Sequence, residues 1–109
     1  MAAQFWYDGR WTHEDIKLTG PADHSLWLAS MVFDGARAFH RCAPDLALHC
    51  HRVIASAKAL SLTPTMTGEE IERLALEGIK LFAADAELYI KPMFFTQRNV
   101  STTLIHPGS

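Results

Sequence analysis

Leu48-His-Cys-His-Arg-Val-Ile-Ala-Ser-Ala-Lys-Ala-Leu60 sets Cys50, Val53, Ile54, Ala57 and Leu60 at the three-and-four spacing of one helix face, with Arg52, Ser56 and Lys58 elsewhere on the turn. That spacing predicts a helix of about three turns. Thr67-Gly-Glu-Glu70 follows as a capping box, in which the threonine oxygen accepts a first-turn N–H and Glu70 reaches back to the cap residue's own N–H. A second helix therefore begins there, with Ile71, Leu74, Ala75, Gly78 and Phe82 on its apolar face, Glu72, Arg73 and Glu77 on its wet one, and its end at Ala84-Asp85.

The segments on either side of this helical pair read as strands. Phe5-Trp-Tyr7 and Arg10-Trp-Thr12 flank Asp8-Gly9, a dipeptide that supplies the positive φ angles of a type I′ hairpin turn. Met31-Val-Phe33 and Ala36-Arg-Ala-Phe39 flank Asp34-Gly35, where the glycine permits either a bulge or a close approach by a ligand. Pro44-Asp45 reads as a turn into a short strand at Leu46 to Leu48. After the helices, Leu88 to Phe95 reads as a buried strand, kinked or at an edge because Pro92 has no N–H for a ladder. Residues 25–30 have a period too short to assign. Strands, two consecutive helices, then a strand describe an α+β layer arrangement.

Composition narrows the function classes. The chain has 109 residues, enough for one domain with its own core, and combines 49% hydrophobic with 20% charged residues at a net charge of −2. Nucleic-acid binders show a strong basic excess, so such partners are not expected. Cys42 and Cys50 form no CxxC pair, which argues against a zinc ribbon or redox motif. The chain shows neither a signal-peptide-like apolar run nor a stretch of membrane-spanning length, and a cytoplasmic setting is expected, with no membrane partner.

Two places can hold an anion. Arg52 follows Leu48-His-Cys-His51 at the start of a helix whose other face is apolar, and its guanidinium can grip a phosphate on two oxygens; spacing alone fits an arginine solvated on a helix face better. Tyr89 and Lys91 alternate with Leu88, Ile90 and Pro92 and so share a strand face that suits a carboxylate. A tyrosine with its ring in the core beside a lysine snorkelling to water is the plainer alternative. His40, His49, His51, Cys42 and Cys50 include the residue types that bind zinc, but His49 and His51 diverge on a helix and no standard chelating spacing is present, so no metal site is expected. Asp8, Asp34 and Asp45 all fall where turns favour an acid.

Three motifs carry a resemblance. His24-Ser-Leu-Trp-Leu-Ala-Ser-Met-Val-Phe-Asp-Gly-Ala-Arg-Ala-Phe39 resembles a His-x-Leu followed by Val-Phe-Glu-Gly-x-Arg-x-Tyr; the stretch from Leu48 to Leu60 resembles Arg-Leu-x-x-His-x-x-Arg-Leu-x-x-Ser-Ala; and Leu88-Tyr-Ile-Lys-Pro-Met-Phe94 resembles Tyr-Ile-Arg-Pro-Leu. In this order, and with the opening hairpin, they are similar to the amino-terminal domain of the class IV pyridoxal-phosphate-dependent aminotransferases, branched-chain amino acid aminotransferases in particular.

That resemblance implies a small antiparallel sheet with two helices packed on one side. Residues 1–95 would be the amino-terminal domain and 96–109 a tail or cut end. It implies pyridoxal 5′-phosphate as cofactor, an amino acid and a 2-oxo acid as substrates, and a homodimer for a full-length relative. Arg52 would bind the cofactor phosphate; Phe33, Gly35, Arg37, Tyr89 and Lys91 would border the substrate. Relatives of the same fold include D-amino acid and R-amine transaminases and aminodeoxychorismate lyases, and a noncatalytic binding domain of this fold is a further alternative. Three departures from the family pattern stand out. Lys91 replaces an arginine and loses its planar fork. Leu28 stands where many relatives carry a tyrosine. The lysine that bonds the cofactor belongs to a second domain, and Lys17, Lys58, Lys80 and Lys91 do not occupy its place, so the chain alone is expected to be inactive, with no catalytic residue of its own.

Overall fold

The computed structural model describes residues 3–95. Its elements run β1 (Phe5–Tyr7), β2 (Arg10–Thr12), α1 (His24–Trp27), β3 (Met31–Phe33), β4 (Ala36–Phe39), α2 (Leu46–Ala59), α3 (Gly68–Ile79), β5 (Glu87–Ile90) and β6 (Met93–Phe95). All strand pairs are antiparallel and the class is α+β, as expected. The sequence expectation of a tail at 96–109 lies outside the described residues.

The hairpin β1–β2 turns through Asp8 and Gly9 at φ 54° and 83°, the two positive angles a type I′ turn requires. Trp11 anchors it to α3: the indole lies where a side chain on Gly78 would be, and its Nε1 donates to Glu77 Oε1 at 3.0 Å.

At the centre is a two-stranded ribbon. β3 pairs with β6 and β4 with β5, and the register Val32↔Phe94, Phe33↔Met93 continues without a slip as Ala36↔Ile90, Arg37↔Tyr89. Asp34-Gly35 on one side and Lys91-Pro92 on the other therefore interrupt the ladder but insert nothing. A bulge would shift the pairing by one residue, so the bulge reading of Gly35 is excluded. Pro92 cannot donate, yet its carbonyl accepts the Asp34 N–H at 3.1 Å, which holds the strands together across the gap. The single strand expected over Leu88 to Phe95 is thus two short ones, half-buried rather than buried.

One further expectation is corrected. Leu46 to Leu48 is not a strand but the first turn of α2. Leu46, Cys50, Val53 and Ala57 are its buried face, a pattern that begins four residues before Cys50. The helix ends in a Schellman arrangement: Ser61 takes φ 62°, Leu62 N–H reaches the Ala57 carbonyl at 2.8 Å and Ser61 N–H the Lys58 carbonyl at 3.0 Å. The capping box forms at Thr67 and Glu70 as the sequence predicts. α3 stops at Ile79, short of Ala84-Asp85, and Leu81 and Phe82 follow with single-turn bonds to Gly78 and Ile79.

Strand alternation puts Ala36 and Ala38 on the inner face of the ribbon, where small side chains let α2 approach closely. Ala36, Leu46 and Cys50 form the core cluster, and Ile71 and Ala75 of α3 pack on the same side. α2 thus covers one face of the ribbon, and α3 packs against α2 on that side. Cys50 is fully buried there, and burial pushes its thiol up to about 11, so it behaves as an inert apolar filler. The outer face is left open, with Phe33 and Tyr89 at 54% and 58% exposure and Phe39 beside them.

Candidate functional site

Residues directly opposite in an antiparallel ladder share a face, so the continuous register assigns Phe33, Gly35 and Arg37 to the same side as Tyr89 and Lys91. The five residues that the sequence nominated for substrate contact therefore stand together on the outer face. Arg37 lies over the Tyr89 ring at 5.8 Å from its centroid, and the Lys91 ammonium over Phe33 at 4.3 Å. At exposed sites such contacts contribute about 0.5–1 kcal/mol. Both cations can therefore leave their rings for a carboxylate.

Gly35 has a physical reason. A Cβ on it would overlap the Tyr89 hydroxyl, so the absence of a side chain lets the phenol lie across the strand gap. The close neighbour permitted by this glycine is a side chain of the same chain. Because the obstructing atom is the tip of an exposed ring, Gly35→Ala is expected to shift the unfolding midpoint little while turning Tyr89 away. Tyrosine ring resonances and a thermal melt check this; a large loss of stability with unchanged Tyr89 signals would contradict it.

Arg52 is on the other side. Its Nε donates to Asp34 Oδ2 at 2.6 Å and its Nη2 to Asp34 Oδ1 at 2.7 Å, a bidentate fork. His49, one helical turn before Arg52 and on the same side of α2, meets the same Oδ1 through Nδ1 at 2.8 Å, and the Gly35 N–H reaches it at 2.9 Å. Asp34 is 7% exposed, whereas the Arg52 side chain is 57% exposed. The buried end of the pair is the carboxylate and the solvent end is the guanidinium. The five outer-face residues and Arg52 are joined through Asp34, chain neighbour of both Phe33 and Gly35.

The electrostatics follow from these contacts. The Arg52 hydrogen bonds outweigh the cost of burial and, with His49 and the Gly35 amide, hold the Asp34 carboxyl well below the usual carboxylate range. Asp34 in turn raises the Arg52 guanidinium above its ordinary value. A carboxylate only accepts, so His49 carries its proton on Nδ1 toward Asp34. Three donors, Arg52 Nη2, His49 Nδ1 and the Gly35 N–H, thus converge on Oδ1, which accounts for the 3.3 Å separation between Arg52 Nη2 and His49 Nδ1.

A lowered acid stabilises the fold at every pH above the unfolded value of about 3.9, and that contribution drains away as pH falls below it towards the folded value. The thermal midpoint is therefore expected to drop below about pH 4, with a smaller drop in Asp34→Asn, where this carboxylate no longer titrates. Glu70, lowered by its bond to the Thr67 backbone, acts in the same sense and is unchanged between the two proteins. Acid melts by circular dichroism decide it: identical acid limbs would mean the pair adds nothing.

The sequence missed two of these residues as site residues. Asp34 resembled a turn acid and His49 a helix decoration. Strand parity with Ala36 and Ala38 points Asp34 inward, and the three-residue spacing of His49 and Arg52 aligns them; these were the available signals. Among the described residues no group of three or more His, Cys, Asp or Glu side chains could hold a metal. The concavity lined by Tyr7, Asp8, Arg10 and Glu14 lies at the hairpin and shares no residue with this site. None of the described helices is long and apolar enough to cross a membrane.

No protein-family model matches the chain. No curated protein matches it either. Solved structures do. An aminotransferase from Brucella abortus, crystallised bound to the cofactor PLP, is 44% identical over 89% of this chain with a TM-score of 0.84, and the match covers 35% of that protein. A branched-chain aminotransferase from the thermophilic archaeon Thermoproteus uzoniensis, crystallised with norvaline, is 27% identical over 87% of this chain with a TM-score of 0.77, covering 33% of its own length. The chain has the fold of a part of these aminotransferases and spans about a third of the length of each.

Proposed function

We propose that this chain serves as the amino-terminal, pocket-roofing part of a pyridoxal-phosphate-dependent aminotransferase that moves an amino group from a branched-chain-type amino acid to a 2-oxo acid. The observation that carries the reading is the Arg52 arrangement: a guanidinium anchored from behind by a buried carboxylate and open in front. Phosphate suits such a group, because a planar fork meets two of its oxygens at once. The 44% identity to a structure bound to PLP supports the same ligand. When bound, the cofactor supplies an electron sink for the amino acid's α-carbon.

The chain's own residues would hold and orient. Arg52 grips the phosphate, while Arg37, Tyr89 and Lys91 offer two cations and a hydroxyl to a carboxylate. Phe33 offers an apolar wall, which supports a hydrocarbon side chain on the substrate, in keeping with the branched-chain name of the second structure. The exposed apolar outer face supports burial against a further domain, and a homodimer belongs to the same reading. The lysine that bonds the cofactor would come from that further domain.

The experiment is a titration of the 109-residue chain with pyridoxal 5′-phosphate and with pyridoxal, followed by amide chemical shifts. The expected result is saturable binding of the phosphate form, with the largest shifts around Arg52, weaker binding of pyridoxal, and no single lysine trapped by borohydride. Equal affinities for the two compounds, or one lysine trapped with turnover, would sink the reading.

A further inference from the structure

The hydrogen bonds around Asp34 leave part of Arg52 unspent. A guanidinium has five N–H groups arranged as forks. Asp34 occupies the fork made by Nε and Nη2. The fork made by Nη1 and the second hydrogen of Nη2 is then fixed in direction by the planarity of the group, and among the described residues no hydrogen bond engages Nη1. His49 is the one neighbour that competes, since its Nδ1 lies 3.3 Å from Nη2. An Nδ1 lone pair would draw that second hydrogen. An Nδ1–H bonded to Asp34 cannot.

We propose that Asp34 is a positioning residue: by accepting from Arg52 and from His49 Nδ1–H together, it aims the guanidinium and keeps the outward fork of Arg52 open for a phosphate. The proposal rests on the reading of Arg52 as the phosphate ligand. It carries a sign that sets it apart from simple neutralisation. A carboxylate that did no more than offset the arginine's charge would repel a phosphate, and its removal would tighten binding. A positioning carboxylate loosens binding when it is removed.

The test titrates the 109-residue chain with inorganic phosphate in four forms: unaltered, Asp34→Asn, Asp34→Glu and Arg52→Ala. Expected is a several-fold weaker site in Asp34→Asn, recovery towards the unaltered affinity in Asp34→Glu, which keeps the carboxylate, and the largest loss in Arg52→Ala. Unchanged or tighter binding in Asp34→Asn, with Arg52→Ala impaired, overturns the proposal alone. Unchanged binding in Arg52→Ala overturns the phosphate reading beneath it. A second measurement does not depend on any variant folding: the ¹⁵N shifts of His49 in the unaltered chain should report a proton on Nδ1, whereas a ring protonated on Nε2 alone would overturn the proposal.

Discussion

Replacing Arg52 by alanine is expected to weaken the affinity of this chain for pyridoxal 5′-phosphate by about 10- to 100-fold, the loss that follows removal of charge-assisted hydrogen bonds. Affinity for pyridoxal should not change, because the lost partner is the phosphate. Arg52 suits the role through two features that seldom coincide on a helix surface. Its head is more than half exposed, and yet two bonds to a buried carboxylate hold it in one orientation. Less rotamer entropy is then left to lose when an anion arrives. Arg52→Lys keeps the charge but gathers its donors on one nitrogen in place of a planar fork, so it should recover part of the affinity and not all. Isothermal titration with both ligands separates the cases. Equal losses for pyridoxal and its phosphate would mean the variant had disturbed α2 and not a phosphate contact.

Leu46→Ala is expected to destabilise the fold by about 2–5 kcal/mol, the range for truncating a buried leucine. Small domains are stable by about 5–15 kcal/mol, so this one change consumes a large share. The reason is the size of the core. Among the described residues, the buried apolar ones apart from Leu46 and Ile79 are Ala36, Ala38, Cys50, Val53 and Ala57, and a cavity at Leu46 has few neighbours able to fill it. Leu48→Ala is the control. Leu48 is 59% exposed and should move stability by no more than about 0.5 kcal/mol. In a strand the two leucines would face the same way and cost alike; on a helix they diverge by about 200°. Urea unfolding of the two variants therefore tests the helical start of α2 directly. Because α2 carries both His49 and Arg52, the first variant should also weaken phosphate binding and the second should not.

Much of the fold was legible because it is written in local chemistry. The Asp8-Gly9 turn, the capping box at Thr67 and the apolar stripe Cys50, Val53, Ala57 each follow from residues within one or two turns of each other. The remaining places each lack a decisive local signal. Leu46 to Leu48 is three residues long, too few for a period to separate strand from helix, and its membership of α2 shows only once Leu46 is seen against Ala36. Gly35 left a bulge and a close approach both open; pairing with a strand more than fifty residues later decided between them. The end of α3 was overshot because Leu81 and Phe82 continue the apolar spacing after the helical bonds have given way to single-turn ones.

The sequence by itself determined most of the element types and the α+β class, and its resemblance to a known family nominated six residues for the site. Tertiary structure alone decided how those six are arranged. Phe33, Gly35, Arg37, Tyr89 and Lys91 come onto one face because two strands far apart in the chain pair without a slip, and register is a property of the pair that neither strand carries alone. Asp34 changes from a turn acid to the anchor of Arg52 because α2 seals the ribbon's inner face. A carboxylate shut away from water must find donors, and the helix brings a guanidinium and an imidazole to the place where it lies.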